Sequence, residues 1–432
     1  MNQNRSFEPG GAYAGYVLFV LSLAYVLNFV DRQVLALVLE DVKSDLALTD
    51  AQLGWLLGPT FAVFYTIASL PIARLADTGS RRGVLAGCLA IWSGTTALCG
   101  LASSFTQMAV ARCTVAIGEA GGTPPSHALI SDYFPPSRRA TALSVYGWGI
   151  FLGTALGFIG GGLIADAFDW RIAFFAAGGL GVPVVLLVAF TVEEPPHGIS
   201  DGRVEVERPS VAAVLARLAR TPSFVTLLFA AACQAFLGYT VLGWGATYLR
   251  RVFELSASEA GFQFGIHAGI AGAVGITIGG LLADRLSKRD VRWYGWISAL
   301  SSLAAFPFAL GFAWADTIGL AMPMFTAFYL LNNVYVSILW TLVQNLVTPR
   351  MRATASAIQL AVLNIVGLGG GPLMAGYVSD VLEPSRGPDG LRVALTLAAA
   401  VGAAAALFFA LCARTLPRDL ARAGGEADRV AN

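Results

Sequence analysis

The sequence predicts an all-α polytopic membrane protein, with twelve crossing helices in two pseudo-symmetric six-helix halves. Three observations carry this. Hydrophobic residues make up 56% of the 432 residues and charged residues only 13%, with a mean hydropathy of +0.67. Apolar runs of about 20 residues or more, the length that spans a bilayer core, recur along the whole chain. Short charged motifs repeat between the two halves. Continuous apolarity, rather than ten-residue alternation, selects helices over a closed barrel.

The twelve runs lie near 13–39, 51–76, 83–104, 106–131, 139–166, 171–192, 222–249, 257–283, 292–313, 317–346, 352–379 and 391–412. The first follows a short polar N-terminus and is too long for a signal-peptide core, so no cleavable signal is expected. It contains "NFVDRQ" (28–33), which places Asp31 and Arg32 side by side in an apolar helix. The fourth carries Arg112 and Glu119 and then "GEAGGTPPS" (118–126). Paired glycines and prolines inside a crossing helix are tolerated only where backbone is buried or lines a cavity, so a kink is expected here. The fifth run holds Gly149, Gly153, Gly157, Gly160, Gly161 and Gly162, and the eleventh has a similar series from Gly367 to Gly376. Small residues at such spacing let helices approach closely.

The longest internal polar stretch, Glu193 to Pro209, divides the chain. The expected organisation is a six-helix bundle over 1–192, a cytoplasmic linker over 193–221, a second bundle over 222–414 and a tail over 415–432. Val211, Val214, Leu215 and Leu218 fall at helical spacing with Arg217 and Arg220 opposite. This reads either as a short amphipathic helix on the membrane surface or as the first turns of the seventh run.

Basic residues crowd alternate loops. They are Arg81 and Arg82; Arg138 and Arg139; Arg203, Arg208, Arg217 and Arg220; Arg285, Lys288 and Arg289; Arg350 and Arg352; and, in the tail, Arg414, Arg418 and Arg422. The intervening loops carry Glu40, Asp41, Asp45, Asp50, Asp166 and Asp169. The positive-inside rule then places the basic loops and both termini in the cytoplasm of a multi-pass plasma membrane protein. Lys43, Arg171, Arg250 and Arg251 run against this trend without reversing it. Lys43 and Lys288 are the only lysines among 28 basic residues, which with abundant Ala and Gly points to a GC-rich bacterial source and an inner membrane.

A net charge of +1 gives no attraction to nucleic acid. The five cysteines lie singly in apolar runs, and no metal or disulfide site is expected of them. Neither lysine stands in a phosphate-binding loop, the histidines make no HExxH helix, and no G-x-S-x-G elbow occurs. An ATP-driven pump or an intramembrane enzyme is therefore not expected, and no cofactor is implied.

The halves repeat. "ARLADTGSRR" (73–82) aligns with "GLLADRLSKR" (280–289), pairing Asp77 with Asp284 and Arg82 with Arg289. "PSRRATA" (136–142) aligns with "PRMRATA" (349–355), pairing Arg139 with Arg352. Parallel six-helix repeats are a secondary-transporter plan.

At these loops the chain resembles the major facilitator superfamily, whose pattern is G-x-x-x-D-[RK]-x-G-[RK]-[RK]. The first copy departs from it at Ala73, Thr78 and Ser80; the second keeps Gly280, Asp284, Arg285, Lys288 and Arg289. A narrower likeness covers about the first 170 residues. "NFVDRQVLALVLEDVKSDLALTDAQLGWL", "LPIARLADTGSRR" and "ARCTVAIGEAGGTPPSHALISDYFPPSRRATALS" look like the Spinster branch. That resemblance implies transport of amphipathic lipids, such as lysophospholipids or sphingoid phosphates, coupled in bacterial members to protons. It also implies that Asp77, Arg81 and Arg139, with their repeats Asp284, Arg289 and Arg352, form salt bridges of a cytoplasmic gate.

A charge at the bilayer centre costs roughly 2.5–3.5 kcal/mol, so four of them facing lipid would cost on the order of 10 kcal/mol. Asp31, Arg32, Arg112 and Glu119 must therefore face a cavity or one another. Arg112 and Glu119 are seven positions apart, which puts both on one face of a helix with Cα atoms about 10 Å apart. Asp31 is expected between them, bonded to Arg112. Two readings fit this set. Asp31 and Glu119 form a proton switch, or the four form a static ion-pair network. Arg32 is either a head-group ligand or the partner of Glu119. In the second half, Tyr239, Trp244, His267, Asn332, Asn333, Tyr335, Gln359 and Asn364 are candidate cavity-lining residues against which an apolar tail would lie. The predicted function is a proton-coupled, alternating-access carrier of amphipathic lipids, acting as a monomer among membrane lipids. The alternatives are a proton-driven drug exporter or a small organic-anion transporter.

Overall fold

The computed structural model describes residues 10–195, 210–348 and 351–431. Arg203, Arg208 and Arg350, read above as cytoplasmic charges, lie outside the described residues, as do positions 196–209 of the linker. Among the described residues all regular structure is helical.

The first run forms α1 (Ala12–Leu37) and, after a break at Val38, a short α2 (Leu39–Leu46). The second is also broken, into α3 (Asp50–Leu57) and α4 (Pro59–Thr78), with Gly58 between them. Then come α5 (Arg81–Cys99), α6 (Phe105–Glu119), α7 (Thr123–Tyr133), α8 (Pro136–Gly147), α9 (Gly149–Ala167) and α10 (Trp170–Thr191). The stretch after the linker is a helix of its own, α11 (Val211–Ala219), capped by the Ser210 hydroxyl. Thr221 interrupts the chain before Pro222 begins the seventh crossing helix. Val214 and Leu218, at 0% and 2% exposure, pack α11 into a hydrophobic core. The second set comprises α12 (Pro222–Phe253), α13 (Ala257–Leu286), α14 (Trp293–Ala313), α15 (Ile318–Asn345), α16 (Arg352–Val362), α17 (Gly371–Arg386) and α18 (Asp389–Ala431). A π-helical stretch, Leu363–Gly370, joins α16 to α17. The last helix passes through Pro417, so the expected tail continues α18 as helix up to Ala431.

Among the described residues, eleven segments are long and apolar enough to cross a membrane. The fourth run is the exception because it is split, as its composition predicts. Ala120–Gly122 separate α6 from α7, and prolines occupy the first turn of α7. Glycine there also permits close packing. A Cβ on Gly118 would lie 2.8 Å from the Trp92 backbone nitrogen, and one on Gly121 would overlap Cys88 Sγ.

The chain forms two compact units. Unit 1 comprises Met1–Leu48, Thr60–Glu205 and Ser256–Gly265; unit 2 comprises Thr49–Pro59, Val206–Leu255 and Ile266–Asn432. The units follow the two sequence halves apart from two short exchanged segments. In unit 1, α5 packs on α10 and α1 on α9, burying Trp92, Phe158 and Phe174. In unit 2, α12 packs on α18 and α14 on α15, around Leu227, Tyr335, Ile338, Leu342, Phe409 and Leu416. Large apolar side chains such as Phe19, Ile67, Phe190 and Leu407 stay more than half exposed, as lipid-facing surface requires.

Two arginines that oppose the charge asymmetry are accounted for locally. Arg171 meets Asp45 at 2.6 Å and lies 4.3 Å from the Trp170 ring centroid. Arg251 forks onto Asp50 at 2.5 and 2.7 Å. Each is neutralised by an acid of the acid-rich loop region, so neither marks a basic loop.

Candidate functional site

Inside unit 1, α1 brings Asn28, Asp31 and Arg32 against α5, α6 and the aromatic residues of α4. Asp31 and Glu119 are each 1% exposed and Arg112 is 3% exposed. Adjacent residues on a helix point about 100° apart, so Asp31 and Arg32 reach different neighbours. Arg32 goes to α6, where its Nε donates to Glu119 Oε2 at 2.6 Å. Its guanidinium carbon stands 4.6, 5.1 and 5.4 Å from the ring centroids of Phe61, Phe29 and Tyr65. These faces attract the cation and strip water from it. Asp31 turns to α5, where Thr96 Oγ1 donates to its Oδ2 at 3.2 Å.

This corrects one expectation. Arg112 does not bond Asp31. Among the described residues it makes no ion pair, and its guanidinium lies 5.3 Å from the Phe61 ring centroid. Arg112 and Glu119 do share one face of α6, but Arg32 takes the acid and Thr96 takes Asp31. The sequence left two roles for Arg32; in this structure it is the partner of Glu119. Thr96, Phe61 and Tyr65 were not foreseen, because a threonine or an aromatic in an apolar helix carries no distinguishing pattern.

The cluster is only partly satisfied. Asp31 Oδ1, Glu119 Oε1 and Arg112 Nε are buried with no hydrogen-bond partner. Buried polar atoms in folded proteins nearly always have one, so three orphans in one cluster make it a candidate site. With both acids ionised the two arginines balance them, and one proton leaves a net positive charge. The arrangement can thus accept a proton at either carboxylate and can offer a guanidinium to an anion. A narrow crevice lined by Tyr25, Asn28, Trp92, Gly122, Ser126 and Tyr146 adjoins it. Gly122 of the α6–α7 break borders this crevice.

The sequence pattern described as the Major Facilitator Superfamily matches residues 21–372. The chain belongs to the major facilitator superfamily. An MFS-type efflux pump of Mycolicibacterium smegmatis is 35% identical over 93% of this chain and 93% of its own. Protein spinster homolog 1 of Homo sapiens is 29% identical over 94% of this chain and 82% of its own. A crystal structure of a bacterial homolog of the human lysosomal transporter Spinster, inward-facing and unoccupied, superposes with a TM-score of 0.86 at 30% identity, covering 95% of this chain and 99% of that one. The chain is thus a superfamily transporter related to Spinster, and not an enzyme.

The superfamily loop motif lies between α4 and α5. Arg81, 3% exposed, pairs with Asp132 and, through Nε at 2.8 Å, with Glu194. Glu194 also accepts from Ser80 Oγ and the Arg82 backbone, both at 2.8 Å. Burial pushes the Glu194 carboxyl up, but the hydrogen bonds from Arg82, Arg81 and Ser80 outweigh it and hold the group below its usual range. Arg81 is thus tied to linker and α7 rather than to Asp77. Asp77, Asp284 and Arg289 are exposed and form no ion pair among the described residues. Arg139 donates to the Ser131 carbonyl at 2.8 Å and Arg352 to that of Gln344 at 3.2 Å.

In unit 2, Trp244 is fully buried and donates Nε1 to the Pro372 carbonyl at 2.9 Å, which makes it a packing residue. Tyr335 packs on Phe409, and Asn333 bonds the Tyr329 carbonyl one turn back. Asn332, Gln359 and Asn364 are buried, Asn364 in the π stretch, and Asn332 Oδ1 lacks a partner. Tyr239 and His267 are half-buried.

Proposed function

We propose that this chain is a proton-coupled secondary transporter of amphipathic lipids, of lysophospholipid or sphingoid-phosphate type, working by alternating access. One observation carries the reading: two carboxylates at 1% exposure, each with an oxygen lacking a donor, lie beside two arginines inside one unit. Protonation of Glu119 weakens its bond to Arg32. The freed guanidinium, still held by Phe61 and Tyr65, then forks onto an anionic head group, for which its planar donors are suited. Arg112 offers a second donor. Asp31 is the narrow favourite for the coupling proton, because its partner Thr96 is neutral and can stay bonded to either protonation state. Asp77, Arg81, Arg139, Asp284, Arg289 and Arg352 serve the basic-loop side in the opposite conformation. The protein acts as a plasma membrane monomer with both termini cytoplasmic.

The relation to Spinster supports the lipid substrate. The 35% identical efflux pump favours a second reading, export of amphipathic drugs. Proteoliposomes under an imposed pH gradient separate them, with labelled lysophosphatidylcholine, ethidium and a labelled short carboxylate as parallel probes. Gradient-driven lysolipid flux, competed by unlabelled lysolipid, is expected. Flux of ethidium alone would establish the export reading, and flux of the carboxylate alone would overturn both.

A further inference from the structure

One device is written twice in this sequence, and each copy closes inside one unit. In unit 2 a reciprocal capping box starts α3: Gln52 N donates to Thr49 Oγ1 at 3.2 Å and Thr49 N to Gln52 Oε1 at 2.9 Å. In unit 1 the same box starts α13, with Glu259 N donating to Ser256 Oγ at 3.3 Å and Ser256 N to Glu259 Oε2 at 3.0 Å. A carboxylate from another helix then takes the next two backbone N–H groups. Asp380 of α17 receives those of Asp50 and Ala51, both at 2.7 Å. Asp166 of α9 receives those of Ala257 and Ser258, at 3.1 and 2.8 Å.

Behind each cap the helices meet backbone to backbone. A Cβ on Gly54 would lie 2.8 Å from the Pro372 carbonyl and one on Gly58 2.6 Å from that of Gly369. In the other copy a Cβ on Gly261 would overlap the Phe158 carbonyl, and one on Gly265 would lie 2.9 Å from that of Ala155. From the facing side, a Cβ on Gly376 would overlap the Asp50 carbonyl and one on Gly162 that of Ala257. The copies correspond position by position. Thr49, Gln52, Gly54 and Gly58 match Ser256, Glu259, Gly261 and Gly265 at an offset of 207 (256 minus 49). Gly162 and Asp166 match Gly376 and Asp380 at an offset of 214 (380 minus 166). The paired signatures are [ST]-x-x-[EQ]-x-G-x-x-x-G and G-x-x-x-D.

A capping box and a carboxylate at a helix N-terminus would suffice to stabilise that helix locally. Here each capped segment packs with the opposite sequence half. Thr49–Pro59 belongs by sequence to the first half and packs in unit 2, while Ser256–Gly265 belongs to the second and packs in unit 1. We propose that the two copies are a twin latch that holds the acid-rich side of the transporter shut and must release when that side opens. The latches are unequal. Asp50, 0% exposed, is additionally held by Arg251 and by Ser379 Oγ at 2.6 Å, whereas its counterpart is the uncharged Ala257. The Asp166 copy releases first.

The test needs no substrate. Leu53→Cys and Ala260→Cys, matched positions that are 0% exposed, report opening through maleimide labelling of the full chain in nanodiscs, over the background of its native cysteines. Asp166→Ala with Asp380→Ala is expected to speed labelling on the order of tenfold, as two lost caps of ordinary strength imply. Asp166→Ala alone exceeds Asp380→Ala alone. Gly162→Ala with Gly376→Ala, which wedges the track while leaving both capping carboxylates in place, speeds labelling as well and stands in if the first pair fails to fold. Unchanged labelling in a folded variant of either pair, even with a lowered Tm, would reduce the device to local helix capping and overturn the proposal.

Discussion

Arg32 holds Glu119 through Nε at 2.6 Å while three aromatic rings surround its guanidinium. A lysine in its place keeps the charge but loses the planar fork and the stacking. Arg32→Lys is therefore expected to weaken lysolipid binding about tenfold, one lost charge-assisted contact by affinity arithmetic, as read by competition in detergent micelles. An unchanged affinity would remove Arg32 from head-group recognition. At this scale the sequence was informative because charge is costly in an apolar helix. Asp31, Arg32, Arg112 and Glu119 stood out for that reason, and the structure brings them together. The pairing among them was not legible. Whether Arg112 or Arg32 meets an acid depends on how α1 is rotated against α5 and α6, and Thr96 competes for Asp31 with no signal of its own.

The break in the fourth crossing helix shows what an element-scale reading can and cannot reach. Paired glycines and prolines announced the interruption. The break at Val38 carried no comparable signal; Gly58–Pro59 and the glycines of the Leu363–Gly370 π stretch did, but their close approaches to Gly369 and Ala235 are visible only in the structure. Gly118 is a direct check. Its Cβ would lie 2.8 Å from the Trp92 nitrogen, so Gly118→Ala should destabilise by about 1–3 kcal/mol, the usual cost of overpacking. Gly94 of α5 has nothing within 4 Å of a built Cβ, and Gly94→Ala should leave thermal unfolding unchanged or slightly improved. Equal losses at both sites would contradict the close α5–α6 approach.

The linker anchor belongs to the same scale. Glu194 caps α5 and binds Arg81, and its carboxyl is held below the usual range. A depressed folded-state value means stability that is present above the unfolded value, near pH 4.3, and is lost as pH falls through the folded one. Glu194→Gln should lower Tm at pH 7 and flatten its further fall below about pH 4, measured by nano-scale fluorimetry. A parallel fall in both proteins would remove Glu194 from the acid response. Nothing in the composition of the polar stretch distinguished Glu194 from Glu193.

At the scale of the whole molecule, the six-plus-six plan was legible because the Asp77/Asp284 and Arg139/Arg352 motifs repeat at nearly equal offsets, 207 (284 minus 77) and 213 (352 minus 139). The compact units cut the chain differently at two places, where Thr49–Pro59 and Ser256–Gly265 each pack with the opposite sequence half. The signatures of both exchanges are present in the sequence, yet short boxes of Ser, Thr, Gln and Gly are too common to stand out until their partners Asp166 and Asp380 are seen across from them. The latch and the charge cluster then divide the work of a secondary transporter. On the proposed reading, one governs when a side opens, and the other governs what a proton does to the bound state.

The central claim is that the buried acids of unit 1 couple proton movement to transport, with Asp31 foremost. The most direct measurement is pH-gradient-driven flux of labelled lysophospholipid into proteoliposomes, comparing the parent chain with Asp31→Asn, alongside gradient-free exchange in both. The account predicts that Asp31→Asn keeps exchange but loses the gradient-driven component. Equal gradient-driven flux in the two proteins would contradict it.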